Sequence, residues 1–124
     1  MPGTPDPRRH LPLTQAVFHV LLALAGGERH GYGIIQDAAA ATAGAVTLRT
    51  GTLYTILKRL LEEGFILESD HRPAAAEDDE RRRYYALTPL GRGVLQAEAQ
   101  RLEQMVKLAR SRRMLPKPAK SGHK

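Results

Sequence analysis

The chain has 124 residues, enough for one compact core and too few for two ordinary domains. It contains no cysteine, which excludes disulfides and thiolate metal sites and makes a reducing cytoplasm its natural compartment. The net charge is +6, but the seven basic residues from Lys107 onward face no acidic ones, and residues 1–106 hold twelve basic against thirteen acidic side chains. The excess belongs to the C-terminal tail, so global charge gives no argument for a polyanionic partner. Tryptophan is absent, and the apolar residues are mostly Leu, Ala, Val and Ile at helical spacing, which predicts a mainly α fold with little sheet.

Residues 1–12, rich in proline, are expected to be a disordered leader. Arg8 and Arg9 precede the apolar run Ala16 to Ala25, which ends Ala23-Leu24-Ala25, and these are the parts of a secretory signal. Gln15 and His19 interrupt that run, it is too short to span a membrane, and it has a place inside a fold. Thr14 is a plausible N-cap for a helix from Gln15 to Ala25, apolar around most of its circumference as a buried helix is. A second helix should start near Gly31 and end before Gly44, followed by a short extended piece, Val46-Thr47-Leu48.

Thr50 is expected to cap the third helix, whose Leu53, Ile56, Leu57, Leu60 and Leu61 follow the spacing i, i+3, i+4, i+7, i+8 of a core-facing stripe. Gly64 suits its left-handed end. Phe65 to Ser69 and Arg83 to Leu87 read as an antiparallel hairpin around a polar loop, and Thr88-Pro89 opens a last helix. Helices followed by a hairpin give the layout of a winged helix-turn-helix over residues 13–88. Residues 89–113 then form a C-terminal helix, and residues 114–124 a disordered basic tail.

The third helix, the segment Arg49 to Gly64, carries the residues best suited to a function. With its apolar stripe inward, Thr55, Lys58, Arg59 and Glu62 face out, flanked by Thr52 and Tyr54, and Arg49, Thr50 and Gly51 stand at its start. Hydroxyls and cations at such a helix start can reach base edges and phosphates, and unpaired N–H groups favour anions. Lys58 and Arg59 are also what any solvated helix face carries; the helix-hairpin context favours the nucleic-acid reading. Arg81, Arg82 and Arg83 at the wing either meet phosphate or pair with the run Glu77 to Glu80 before them. Leu95, Ala99, Leu102, Met105, Val106 and Ala109 make an apolar stripe on the last helix, a candidate dimer interface that could equally fold back on the first helix. The five histidines lack metal-ligand spacing, no serine sits in a nucleophile elbow, and no enzyme, metal or cofactor site is expected.

The runs His30-Gly31-Tyr32-Gly33-Ile34-Ile35, Gly51-Thr52-Leu53-Tyr54 with Leu57, Arg59-Leu60 and Glu63-Gly64, and Arg83-Tyr84-Tyr85-Ala86-Leu87-Thr88 with Gly91 resemble the PadR family of bacterial transcriptional regulators. The resemblance covers roughly residues 12–110. It implies a homodimer that binds a pseudo-palindromic double-stranded DNA operator, represses neighbouring genes and is released by a small-molecule or other signal. It places Thr52 and Tyr54 at the start of the recognition helix and adds Tyr32, the tyrosine after the histidine-glycine pair, to the DNA-binding set. The single C-terminal helix resembles the short-tailed branch, in which that helix packs on the partner's first helix. Some relatives in that branch hold flat aromatic drugs between tryptophans, which this chain lacks, and its wing loop is longer and more acidic than the family pattern. The effector site is thus left unassigned. The alternative is a winged-helix protein-interaction module without specific DNA binding.

Overall fold

The computed structural model describes residues 6–69 and 83–118. The described residues run α1 (Gln15–Ala25), β1 (Arg29–His30), α2 (Gly31–Ala41), α3 (Thr50–Glu63), β2 (Ile66–Ser69), β3 (Tyr84–Leu87) and α4 (Pro89–Ser111). This is the mainly α winged helix expected from the sequence.

Apolar periodicity becomes packing directly. Val20, Leu21 and Leu24 of α1 are buried against Ile34 and Ala38 of α2, Leu53, Leu57 and Leu60 of α3, and Val94 of α4. Each such Val, Leu or Ile contributes about 1.5–3 kcal/mol of burial. Phe65, Ile66 and Tyr85 close the core from the sheet side.

The helix ends are held as their residues dictate. Thr14 accepts the Val17 N–H at 3.2 Å. Gly64 ends α3 in the left-handed region, at φ 80°. Thr88 accepts the Gly91 N–H at 3.0 Å and donates its hydroxyl to the Gly64 carbonyl, tying the start of α4 to the end of α3. A Cβ at residue 91 would collide with the Phe65 carbonyl oxygen, so only glycine lets α4 cross so close to that backbone.

Five expectations change. The cap of α3 is Arg49, without a side-chain hydrogen bond, and Thr50 lies inside the first turn. Val46-Thr47-Leu48 joins no sheet; Val46 and Leu48 instead bury their side chains beneath the turn between α2 and α3. The third strand is β1, only two residues long, pairing Arg29 with Tyr85 and His30 with Tyr84, so that β3 is central in the order β1-β3-β2.

The fourth change concerns the leader. Within the expected disordered stretch, Pro7–His10 forms a turn of 3-10 helix, with Asp6 accepting the Arg8 N–H at 3.0 Å and a proline at its start. Residues 6–13 make a strap across α4. Pro7 Cγ lies 3.2 Å from where a Cβ on Gly93 would stand, and the Leu13 N–H donates to the Glu98 carboxylate at 2.9 Å. Order there comes from α4, which local composition does not reveal. At the other end, order was expected to stop at Met114. Instead the backbone turns back, the Met114 N–H donating to Ala109 O at 2.9 Å and Arg110 Nε to Pro116 O at 2.7 Å.

Candidate nucleic-acid interface

The helix-turn-helix begins with a histidine cap. His30 Nδ1 accepts the Gly33 N–H at 3.1 Å, and its ring meets Tyr84 edge-on at 5.4 Å between centroids. The strand β1 thus delivers the chain into α2 with its first turn already capped. Arg29 fastens the same corner, donating through Nε to Ala23 O at 2.8 Å and meeting Asp37 at 3.5 Å. Gly31 then lets α3 approach, because the Tyr54 hydroxyl lies 2.7 Å from where a Cβ on Gly31 would stand. The histidine-glycine pair is therefore a cap followed by a contact point between helices, and Tyr32 beside it is exposed.

On α3 the division between faces is clean. Leu53, Leu57 and Leu60 are buried, while Thr50, Gly51, Thr52, Tyr54, Thr55, Lys58 and Arg59 are exposed, together with the cap residue Arg49. The first helical hydrogen bond runs from the Leu53 N–H to Arg49 O, which leaves the N–H groups of Thr50, Gly51 and Thr52 outside the helix ladder. Nothing would lie within 4 Å of a Cβ on Gly51, so an incoming group meets open backbone there. Such a helix start presents donors and the positive end of the helix dipole to an anion.

The side chains differ in what they have free. Arg49 and Lys58 make no ion pair among the described residues. Arg59 pairs only loosely with Glu63, at 3.5 Å, and its side chain is 65% exposed. Thr55 donates its hydroxyl to Gly51 O at 3.0 Å, so outward it offers oxygen lone pairs and acts as an acceptor.

The described part of the wing contributes less. Arg83 reaches across the hairpin to Glu68 at 3.1 Å, which offsets much of its charge locally. Arg81, Arg82 and the run Glu77 to Glu80 lie outside the described residues.

The stripe on α4 divides in two. Leu95 is 6% exposed and packs in its own core, so it belongs to the monomer's interior, because the N-terminal half of α4 lies on α1. Ala99, Leu102, Met105 and Val106 are exposed, Ala109 is half-buried, and Leu108 on α4 and Leu22 on α1 add exposed apolar surface outside the expected stripe. Among the described residues no helix is long and apolar enough to cross a membrane, and no group of three acidic, histidine or cysteine side chains could hold a metal ion.

Three helices, a short sheet packed beside them and an exposed third helix define a winged helix-turn-helix protein. The family model for the transcriptional regulator PadR-like family matches residues 20–97, and the chain belongs to that family. No curated protein matches it significantly.

Solved structures agree on the fold. A PadR family transcription regulator from Clostridium difficile R20291 is similar with a TM-score of 0.66 at 22% identity, over 79% of this chain and 97% of its own. A transcriptional regulator from Clostridium thermocellum gives 0.64 at 22% identity, over 81% of this chain and 97% of its own. Bordetella bronchiseptica BpsR, whose DNA binding is regulated by 6-hydroxynicotinic acid, gives 0.59 at 26% identity, over 81% of this chain and 69% of its own.

Proposed function

We propose that this PadR-like transcriptional regulator is a cytoplasmic, sequence-specific repressor that binds a pseudo-palindromic operator as a homodimer. The observation that carries this reading is the outer face of α3. It combines Thr52, Thr55, Lys58 and Arg59, unladdered N–H groups at Thr50 to Thr52, and cations at Arg49 and Lys58 that form no ion pair among the described residues. A helix with that inventory fits a major groove, where the hydroxyl groups and Lys58 read base edges and the helix start and the guanidinium groups hold phosphates. Tyr32 and Tyr54, both exposed beside it, extend the surface.

Dimerisation supplies the second recognition helix. The face formed by Leu102, Met105 and Val106 is apolar and exposed among the described residues, and a second copy related by two-fold symmetry would bury it. Such a dimer places two recognition helices about one helical turn of DNA apart. Release by a small molecule is the signal this reading expects, as the 6-hydroxynicotinic acid response of BpsR illustrates for a similar fold.

A nuclease footprint of the full chain on its own upstream region tests the proposal. Two protected half-sites about 10 base pairs apart are expected. Binding of equal strength to unrelated duplexes, without a footprint, would contradict it.

A further inference from the structure

Between the strap and the C-terminal half of α3 lies a cavity of about 280 Å³, lined by Arg9, His10, Leu13, Arg59, Glu63 and Phe65 among others. It brings together two arginines fifty positions apart in sequence, one on each wall. Arg59 belongs to the outer face of α3, in line with Thr52 and Thr55 at i, i+3, i+7. Its tie to Glu63 is long, at 3.5 Å. Arg9 makes no ion pair or side-chain hydrogen bond among the described residues.

Its neighbour is engaged elsewhere. Arg8 is held by Asp6 at 3.2 Å and lines a separate groove with Gln100, Arg101 and Gln104 on α4. The strap is fixed at three points, which aim Arg9 without further ordering. Pro7 rests beside Gly93, the His10 ring stands edge-on to Phe65 at 4.8 Å, and Leu13 bonds Glu98. A side chain carried by an already ordered segment gives up less entropy on binding.

We propose that the strap is part of the DNA surface, and that Arg9 and Arg59 together seat one phosphate of the duplex backbone beside the groove that α3 enters. Two guanidiniums outweigh the single carboxylate of Glu63, and a phosphate offers oxygens enough for both. The seat adds affinity on every sequence and no base preference. This rests on the DNA-binding reading of α3.

The test is a salt titration of duplex binding by fluorescence anisotropy, with the full chain and its R9A and R8A variants, thermal melting confirming that each is folded. R9A should flatten the slope of log affinity against log salt by about 0.9 per protomer, weaken cognate and unrelated duplexes alike, and leave the melting temperature unchanged. R8A should match the wild type. An R9A slope equal to that of the wild type overturns the seat while leaving the DNA-binding reading intact. Failure of the wild type itself to bind any duplex overturns that reading first. Inorganic phosphate, followed by phosphorus NMR, separates the two sources of the anion. Phosphate binding that is lost in R9A while the DNA slope is unchanged would make this a free-anion site and overturn the backbone assignment.

Discussion

The hydroxyl of Tyr54 occupies the space beside Gly31 that any larger residue would need, 2.7 Å from the missing Cβ, with the ring's Cζ at 3.1 Å and Leu53 Cδ2 at 3.3 Å. Gly31 and Tyr54 therefore meet where α2 and α3 come close. Leu53 is fully buried and cannot yield, whereas the half-exposed Tyr54 ring can swing outward.

Gly31→Ala should therefore destabilise the fold by about 1 kcal/mol, the overpacking cost exceeding the gain in helix propensity. In a Tyr54→Phe background, without the hydroxyl, the same substitution should cost at least about 0.5 kcal/mol less. Urea denaturation of the four proteins gives the cycle. Strict additivity would show that the two residues do not meet.

Glu98 is 2% exposed and ties α4 to the strap. It accepts the Leu13 N–H at 2.9 Å and meets Arg101 at 2.6 and 3.1 Å. The Arg101 guanidinium holds its carboxyl below the ordinary glutamate value; burial opposes this and the Leu13 amide assists it. A depressed folded-state value means that the stabilisation is complete above the unfolded value, near 4.5, and is lost as pH falls through the folded one. Glu98→Gln should cost about 1–3 kcal/mol at neutral pH, and its difference from the wild type should shrink in acid. Denaturation midpoints measured across that range check both halves. A difference that stays constant into strong acid would show that the charge of Glu98 is not what stabilises the strap.

The C-terminal half of α4 makes a separable claim. Val106 is 41% exposed and Met105 47%, so a charge there leaves the monomer's core untouched. Val106→Glu should convert a dimer into folded monomers in analytical ultracentrifugation, with unchanged helical circular dichroism and weakened operator binding. A variant that sediments as the wild type does would place the interface elsewhere.

Where the sequence was sufficient, the reason was local. Leu53, Leu57 and Leu60 announce the inner face of α3 by spacing alone, and Gly64 and Thr88-Pro89 mark ends that depend on only a few neighbouring residues. The exposed Thr55, Lys58 and Arg59 followed from the same wheel. What could not be read depends on distant partners. Arg29–His30 is too short to show alternation and becomes a strand only by pairing with Tyr84 and Tyr85. Leu11 and Pro12 look like parts of a leader until Glu98, 85 positions after Leu13, fixes the adjoining backbone by accepting the Leu13 N–H. Arg49 and Thr50 stand side by side, and threonine's general preference for caps pointed one residue too far. Leu95 and Leu102 share a stripe on α4, but only tertiary packing decides that the first is core and the second surface.

The central claim is that the outer face of α3 reads DNA, and mobility-shift titration of Lys58→Ala and Arg59→Ala on the footprinted operator tests it most directly. Both side chains are exposed, so melting temperatures should match the wild type. Each variant should lose about fivefold to 150-fold in operator affinity, corresponding to about 1–3 kcal/mol for a direct base or phosphate contact. If both bind the operator as tightly as the wild type, α3 is not the recognition helix.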